Sequence, residues 1–175
     1  MFNQLKPNDL LRIEGPHGSF FFQPQGKPLL LVAGGTGFAP IKGIFEEISQ
    51  SEVQQPVHLF WGSRAKKDLY QDALVRQWVD DYGLQYTPVL SDADAVDDWQ
   101  GQTGFVHQAV LETYPDLSEF AVYMAGPPQM IESCRQSFTE AGLDPASLFF
   151  DSFEYSSDAL DGMLHSAASG EDQKD

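Results

Sequence analysis

The residues with the most chemical promise here are small ones. Ala33-Gly34-Gly35-Thr36-Gly37-Phe38-Ala39-Pro40 follows an apolar run and opens a segment with helical spacing. Glycines at such a turn remove the Cβ atoms that would keep a diphosphate from main-chain N–H groups at the positive end of a helix. Against the dinucleotide pattern G-x-G-x-x-G, Gly35 and Gly37 fit, but Pro40 stands where the third glycine belongs. Proline in a first helical turn forfeits no helical hydrogen bond and presets the backbone angle. No Lys-Ser or Lys-Thr pair follows, which excludes a P-loop. Taken alone, the turn reads equally well as a plain structural connection.

A second strand-to-helix turn, Tyr123-Met124-Ala125-Gly126-Pro127-Pro128-Gln129-Met130, is also built from small residues and prolines. In a parallel sheet with a topological switch point, two such loops open at the carboxyl edge and leave a slot wide enough for a flat ring. A third group, Phe60-Trp61-Gly62-Ser63-Arg64, ends the second apolar run, where an adenosine ribose would lie. Arg64 offers planar cationic stacking or a phosphate contact, or is simply a solvated surface arginine. Asp92 in PVLSD would repel a 2'-phosphate and favours NADH, whereas Lys66 and Lys67 pull toward NADPH.

Other chemistry is poorly provided for. His17, His58, His107 and His165 have no ligand spacing to one another, so a metal site is not expected. No Ser, His and Asp grouping resembles a nucleophile elbow. The single cysteine, Cys134, falls in a predicted helix and reads as a buried inert thiol.

Five apolar runs must carry these loops: residues 29–33, 57–61, 84–90, 121–124 and 148–151 are predicted strands. Residues 41–48, 68–81, 104–114 and 129–141 are predicted helices between them. Continuous apolar runs such as LLLVA suit strands covered on both faces, and each helical segment is long enough for a right-handed crossover. Thr103 and Asp68 stand where N-caps would, and Gly142 where a helix would stop. The expected fold is α/β: a five-stranded parallel sheet in the order 3-2-1-4-5, Rossmann-like, with helices on both faces. Residues 1–27 stand apart from this pattern, because DLLRIEG alternates like a half-buried strand before the Gly15, Pro16 and Gly18 turn.

The 175 residues carry 26 acids against 10 Lys and Arg, a formal charge of −16, which argues against nucleic acid or an anionic membrane surface as partner. No run approaches the roughly 18 apolar residues of a membrane span, and a soluble, cytoplasmic chain is expected. Residues 156–175 hold five acids and one base among Ser, Ala and Gly and read as a flexible acidic tail.

In order and at consistent spacing, GPHGSF, LLLVAGGTGFAP, FWGSR, DLY, PVLSD, GQTGFVH, YMAGPPQM and FFDSF resemble the pyridine-nucleotide domain of the ferredoxin-NADP reductase superfamily. The subtype suggested is that of bacterial NAD(P)H-flavin reductases, oxygenase reductase components and CDP-deoxyhexose reductases. The resemblance runs from about Leu5 to Phe153. It implies a diphosphate cradle at Gly35, Thr36 and Gly37, with Thr36 also close to the nicotinamide. It assigns Arg64 to the adenosine side, and Ala125, Gly126 and Pro127 to the loop that admits nicotinamide to a flavin; Gly34, Pro40 and Met130 are expected among the cofactor-binding residues beside them. Phe153 or Tyr155 would lie by that flavin.

Two departures stand out. Ala125 occupies a position where many members have cysteine, which narrows the subtype. The family's flavin barrel, with its Arg-x-Tyr-Ser motif, does not precede GPHGSF in this sequence, so residues 1–27 read as its closing strand and linker. Three functions follow: a reductase module working with FAD or FMN on a missing or separate domain, and passing electrons to an acceptor such as a ferredoxin or oxygenase component; a non-catalytic nucleotide-binding or regulatory protein; or a chain that reduces free flavin. Residues 28–155 are the expected NAD(P)H-binding domain.

Overall fold

A computed structural model describes residues 6, 10, 12, 18–51, 55–93 and 98–152. The elements run β1 (Leu29–Gly34), α1 (Phe38–Gln50), β2 (Val57–Ser63), α2 (Asp72–Tyr82), β3 (Gln85–Leu90), β4 (Gln102–Thr103), α3 (Val106–Thr113), β5 (Ala121–Gly126), α4 (Pro128–Glu140) and β6 (Leu148–Ser152). All strand pairs are parallel, in the order β4-β3-β2-β1-β5-β6.

The expected five-strand order is present as β3-β2-β1-β5-β6. The sheet has six strands rather than five because Gln102–Thr103 adds a two-residue edge strand to Val89 and Leu90. Thr103 therefore pairs in the sheet instead of capping a helix. The residue before α3 is Phe105, whose N–H donates to the Gln108 side chain. Asp68 does not cap α2 either: its carboxylate accepts from the Ala65 N–H at 3.2 Å inside a short 3-10 turn over Lys66–Asp68, and α2 starts four residues later. Gly142 does end α4, at φ +89, with Gly142 N–H donating to Thr139 and Leu143 N–H to Phe138. That is a Schellman closure, which glycine permits at no steric cost.

Alternation along β1 divides the core into two layers. Leu29, Leu31 and Ala33 face a cluster with Ile41, Ile44, Phe45 and Ile48 of α1 and Val75 and Trp78 of α2. Leu30 and Val32 face Val106, Ala109 and Val110 of α3 and Ile131, Cys134 and Phe138 of α4. These helical positions recur at spacings of three and four, the period that puts apolar residues on one face. Burial pushes the Cys134 thiol up to about 12, so it stays protonated and inert. Every residue of β1 and of β5 is buried, as parallel strands covered on both faces require.

Residues 18–28 form no strand but are held firmly to the sheet. The Tyr123 ring stacks on Phe149 at 4.6 Å and meets Phe20 and Phe22 at 6.2 and 5.9 Å. Its hydroxyl accepts from the Gln23 N–H at 2.9 Å and donates to the Gln23 carbonyl at 3.0 Å. Lys27 and Gln25 reach Ser147 and Ala146 beyond α4. Tyr123→Phe should keep the ring packing and lose both bonds, lowering the unfolding free energy by about 1–2 kcal/mol in urea titrations; parental stability would contradict this. Of the expected strand in DLLRIEG only Leu10 and Arg12 are described, both exposed, and the acidic tail at 156–175 lies outside the described residues. No helix among the described residues is long and apolar enough to cross a membrane.

Candidate functional site

The strand order reverses beside β1, which has β2 on one side and β5 on the other. Loops after β1 and β5 thus leave the sheet in opposite directions and open a crevice at its carboxyl edge. Ala33 pairs with Ala125 in register, so the two small-residue turns begin side by side. After β1, Gly35–Gly37 makes one 3-10 turn that runs directly into α1. Helix α1 therefore starts at Phe38, three residues before the expected start, and Pro40 sits in its first turn. The N–H groups of Thr36 and Gly37 fall where no intrahelical acceptor exists.

The glycines earn their places in different ways. A Cβ on Gly37 would overlap the carbonyl group of Ala125 and come within 2.9 Å of Gly126 Cα. One on Gly34 would run into Met130 Sδ and stand 3.0 Å from Pro127 Cδ. One on Gly126 would lie 2.8 Å from Met130 Cε and 3.2 Å from Gly34 Cα. These three glycines let the two turns interlock, with half-buried Met130 as the wedge between them. Of the glycines in the two turns, Gly35 alone has open space beyond its Cα, with nothing within 4 Å and φ +53.

The structure brings Gly34, Gly35, Thr36, Gly37, Pro40, Ala125, Gly126, Pro127 and Met130 to one place. Arg64 lies one strand outward, exposed, just past β2. Asp92 N–H donates to the Arg64 carbonyl at 3.0 Å, so the two residues stand on adjacent strand ends. Phe153 and Tyr155 lie outside the described residues.

Three side chains that the sequence reading left unassigned border this edge. Trp61, fully buried, donates its indole N–H to the Gly35 carbonyl at 3.0 Å. Ser63 Oγ is, among the described residues, the buried side-chain polar atom without a hydrogen-bond partner. Phe105 is 61% exposed and stacks on His107 at 5.8 Å. It precedes Val106, whose Cβ would stand 3.0 Å from a Cβ on Gly62, so this aromatic face sits on the β2 side of the crevice. An aromatic at a loop-to-helix junction was the only available signal for Phe105. Nothing local marked Trp61, whose partner is 26 residues away.

The family profile described as the oxidoreductase NAD-binding domain matches residues 31–136. The chain belongs to the oxidoreductase NAD-binding domain family. This NAD-binding domain is 44% identical over 154 residues to CDP-6-deoxy-L-threo-D-glycero-4-hexulose-3-dehydrase reductase of Yersinia pestis, covering 87% of the chain and 46% of that protein. It is 34% identical to NAD(P)H-flavin reductase of Vibrio harveyi, covering 78% of the chain and 57% of that protein. Among solved structures it superposes on the Amycolatopsis cytochrome P450 reductase GcoB with a TM-score of 0.73 and 30% identity, over 79% of the chain and 42% of that structure. The chain spans about half the length of the curated relatives it matches.

The residues of this NAD-binding domain fit a pyridine dinucleotide. The N–H groups of Thr36 and Gly37, which lack an intrahelical acceptor, suit a diphosphate at a helix start. Of the residues in the two turns, Gly35, Thr36, Pro40, Pro127 and Met130 keep accessible surface and none of them titrates, so this edge offers backbone polarity without an acid or base, over a fully buried Ala125. Among the described residues there is no cluster of His, Cys, Asp or Glu able to hold a metal ion.

Proposed function

We propose that this NAD-binding domain holds NAD(P)H across the carboxyl edge of its sheet and presents the nicotinamide to FAD or FMN on a flavin-binding domain. The observation that carries the reading is the interlock of the Gly35–Gly37 turn with the Ala125–Pro127 loop at the switch point, which brings exposed Thr36 and the starts of α1 and α4 to one edge of the sheet. Gly34, Gly35, Thr36, Gly37 and Pro40 form the diphosphate side. Ala125, Gly126, Pro127 and Met130 form the nicotinamide side. Arg64 faces the adenosine, and the Phe105 ring offers a flat surface for the adenine on the same flank.

The hydride chemistry belongs to the nicotinamide and the flavin. The chain's own work is distance and orientation. Gly126 and fully buried Ala125 let the two turns pack backbone against backbone beneath the ring, Pro127 precedes α4 without a competing N–H, and half-buried Met130 excludes water from the seam between the turns. No residue of the slot is needed to move a proton. Asp92 beside Arg64 favours NADH over NADPH, because a carboxylate next to the ribose repels a 2'-phosphate, with Lys66 and Lys67 working in the opposite sense. Phe153 completes the reading as the residue nearest the flavin. The electron acceptor is a ferredoxin or oxygenase-type component, the setting is cytoplasmic, and the flavin barrel is joined before residue 28 or supplied separately.

An assay of NADH oxidation separates the possibilities. With a flavin-loaded barrel added, consumption of NADH should exceed that seen with free FMN or FAD by about tenfold or more, a small part of the gain available from fixing two reactants in the right geometry. NADH that binds but is never oxidised under either condition would overturn the catalytic part of the reading.

A further inference from the structure

Trp61 is fully buried and so does not touch a molecule bound at the crevice, yet its side chain reaches the glycine turn. The indole Nε1–H donates to the Gly35 carbonyl at 3.0 Å. The ring stacks on Phe38, the first residue of α1, at 4.1 Å and 14°. Phe38 N–H donates to the same Gly35 carbonyl. Two donors on the buried side therefore fix the direction of that oxygen.

The consequence follows from peptide geometry. The unit joining Gly35 to Thr36 is a rigid plane whose C=O and N–H point opposite ways. With the oxygen held toward Trp61, the N–H of Thr36 faces the exposed side. Gly35 needs such a tether more than most residues would. Its φ of +53 lies in a region that glycine enters and leaves freely, and nothing stands within 4 Å of its outer face. A core residue filling space beneath the turn needs a ring. It does not need an N–H.

We infer that Trp61 is a positioning residue for the dinucleotide, setting the Gly35–Thr36 peptide so that the Thr36 N–H meets the diphosphate. This rests on the reading that the crevice holds NAD(P)H. The Phe38 stack transmits the same constraint to the start of α1, so the turn and the helix it opens are held by one side chain from the neighbouring strand.

The test is Trp61→Phe in the full chain, which keeps an aromatic ring and removes the donor. Calorimetric titration with NADH, ADP-ribose and adenosine should show the dissociation constants of NADH and ADP-ribose rising by the same factor, about three- to tenfold, the scale of one net hydrogen bond. Adenosine, which has no diphosphate, should bind as it does to the parent. In 15N spectra of the parent the three tryptophans, Trp61, Trp78 and Trp99, give three indole resonances. The one absent from Trp61→Phe should move on adding ADP-ribose, while that of Trp78 stays. If Phe leaves the fold too loose, benzothienylalanine at position 61 preserves the ring shape with sulfur in place of N–H and should give the same pattern. Parental affinity for NADH and ADP-ribose in both variants overturns the inference, as does an equal loss for adenosine. Failure of the parent itself to bind NADH overturns instead the reading on which the inference rests.

Discussion

Replacing Gly37 with alanine should destabilise the chain by about 2–3 kcal/mol, the usual scale of overpacking into a rigid neighbour, and abolish dinucleotide binding. Gly37 has an ordinary helical backbone, φ −58, so the cost is not conformational. It is purely steric. The added methyl would be driven into the Ala125 carbonyl, and β5 is paired on both sides, to β1 and to β6, so its backbone has nowhere to retreat. The variant must push α1 away from the sheet or open the crevice, and either change separates the two turns. Gly43→Ala in the middle of α1 is the matched control. Nothing lies within 4 Å of its Cβ position, so the same chemical change should stabilise by about 0.5–1 kcal/mol through helix propensity. Denaturant titration of the two variants should give shifts of opposite sign. Equal shifts would contradict the interlock.

The second large effect is on acid stability and lies away from the crevice. His58, the second residue of β2, is nine-tenths buried, with Nδ1 3.0 Å from Tyr114 Oη and Nε2 2.9 Å from Thr87 Oγ1. Tyr114 in turn donates to Gln85 Oε1, and the imidazole stacks on Phe60 at 4.1 Å. A neutral ring with the proton on Nδ1 completes this chain of bonds. Burial penalises the charged form and holds the imidazole down at about 4, against an ordinary value of 6.5. Between those two pH values the unfolded chain carries a proton that the folded chain refuses. Stability is therefore fully present above about pH 6.5 and falls as pH drops toward 4, by up to about 1.4 kcal/mol per unit. Over the whole window the loss is about 3 kcal/mol. His58→Leu should remove this contribution, leaving a flatter stability profile between pH 6.5 and 4.5 in urea titrations. A slope as steep as the parent's would contradict the assignment, since carboxylates titrate mostly below that range.

What was legible in the sequence follows from which signals are local. Long apolar runs and helical spacing placed β1, β2, β3, β5 and β6 and their order, because burial on both faces requires an uninterrupted apolar strand. The pair Gln102–Thr103 gave no such signal, since a two-residue strand is held by backbone bonds alone and carries no periodicity. Asp68 and Thr103 have the side chains of helix caps, but each found a competing partner, Ala65 N–H for one and the β3 edge for the other. The start of α1 was hidden because Gly-Thr-Gly, poor in helix propensity, forms a tight turn that leads straight into it.

The crevice was legible as two small-residue turns, but its physics was only half visible. Sequence says that Gly34, Gly37 and Gly126 lack side chains; it does not say which neighbour requires this. Ligand access was the expected reason for all of them, diphosphate at the turn after β1 and nicotinamide at Gly126, whereas these three pack turn against turn and, of the glycines in the two turns, only Gly35 is open outward. Trp61 was quoted within FWGSR without a role, because its contact with Gly35 crosses from one strand to the next and exists only in the folded sheet.

A crevice that holds a pyridine dinucleotide will reveal it in calorimetric titration of the unmodified chain with NADH and NADPH. Saturable one-to-one binding is expected, with a melting transition that climbs with ligand concentration as it should for about 2.7 kcal/mol of stabilisation at a hundredfold excess over the dissociation constant. Absence of both heat and thermal shift at millimolar NADH and NADPH would contradict it.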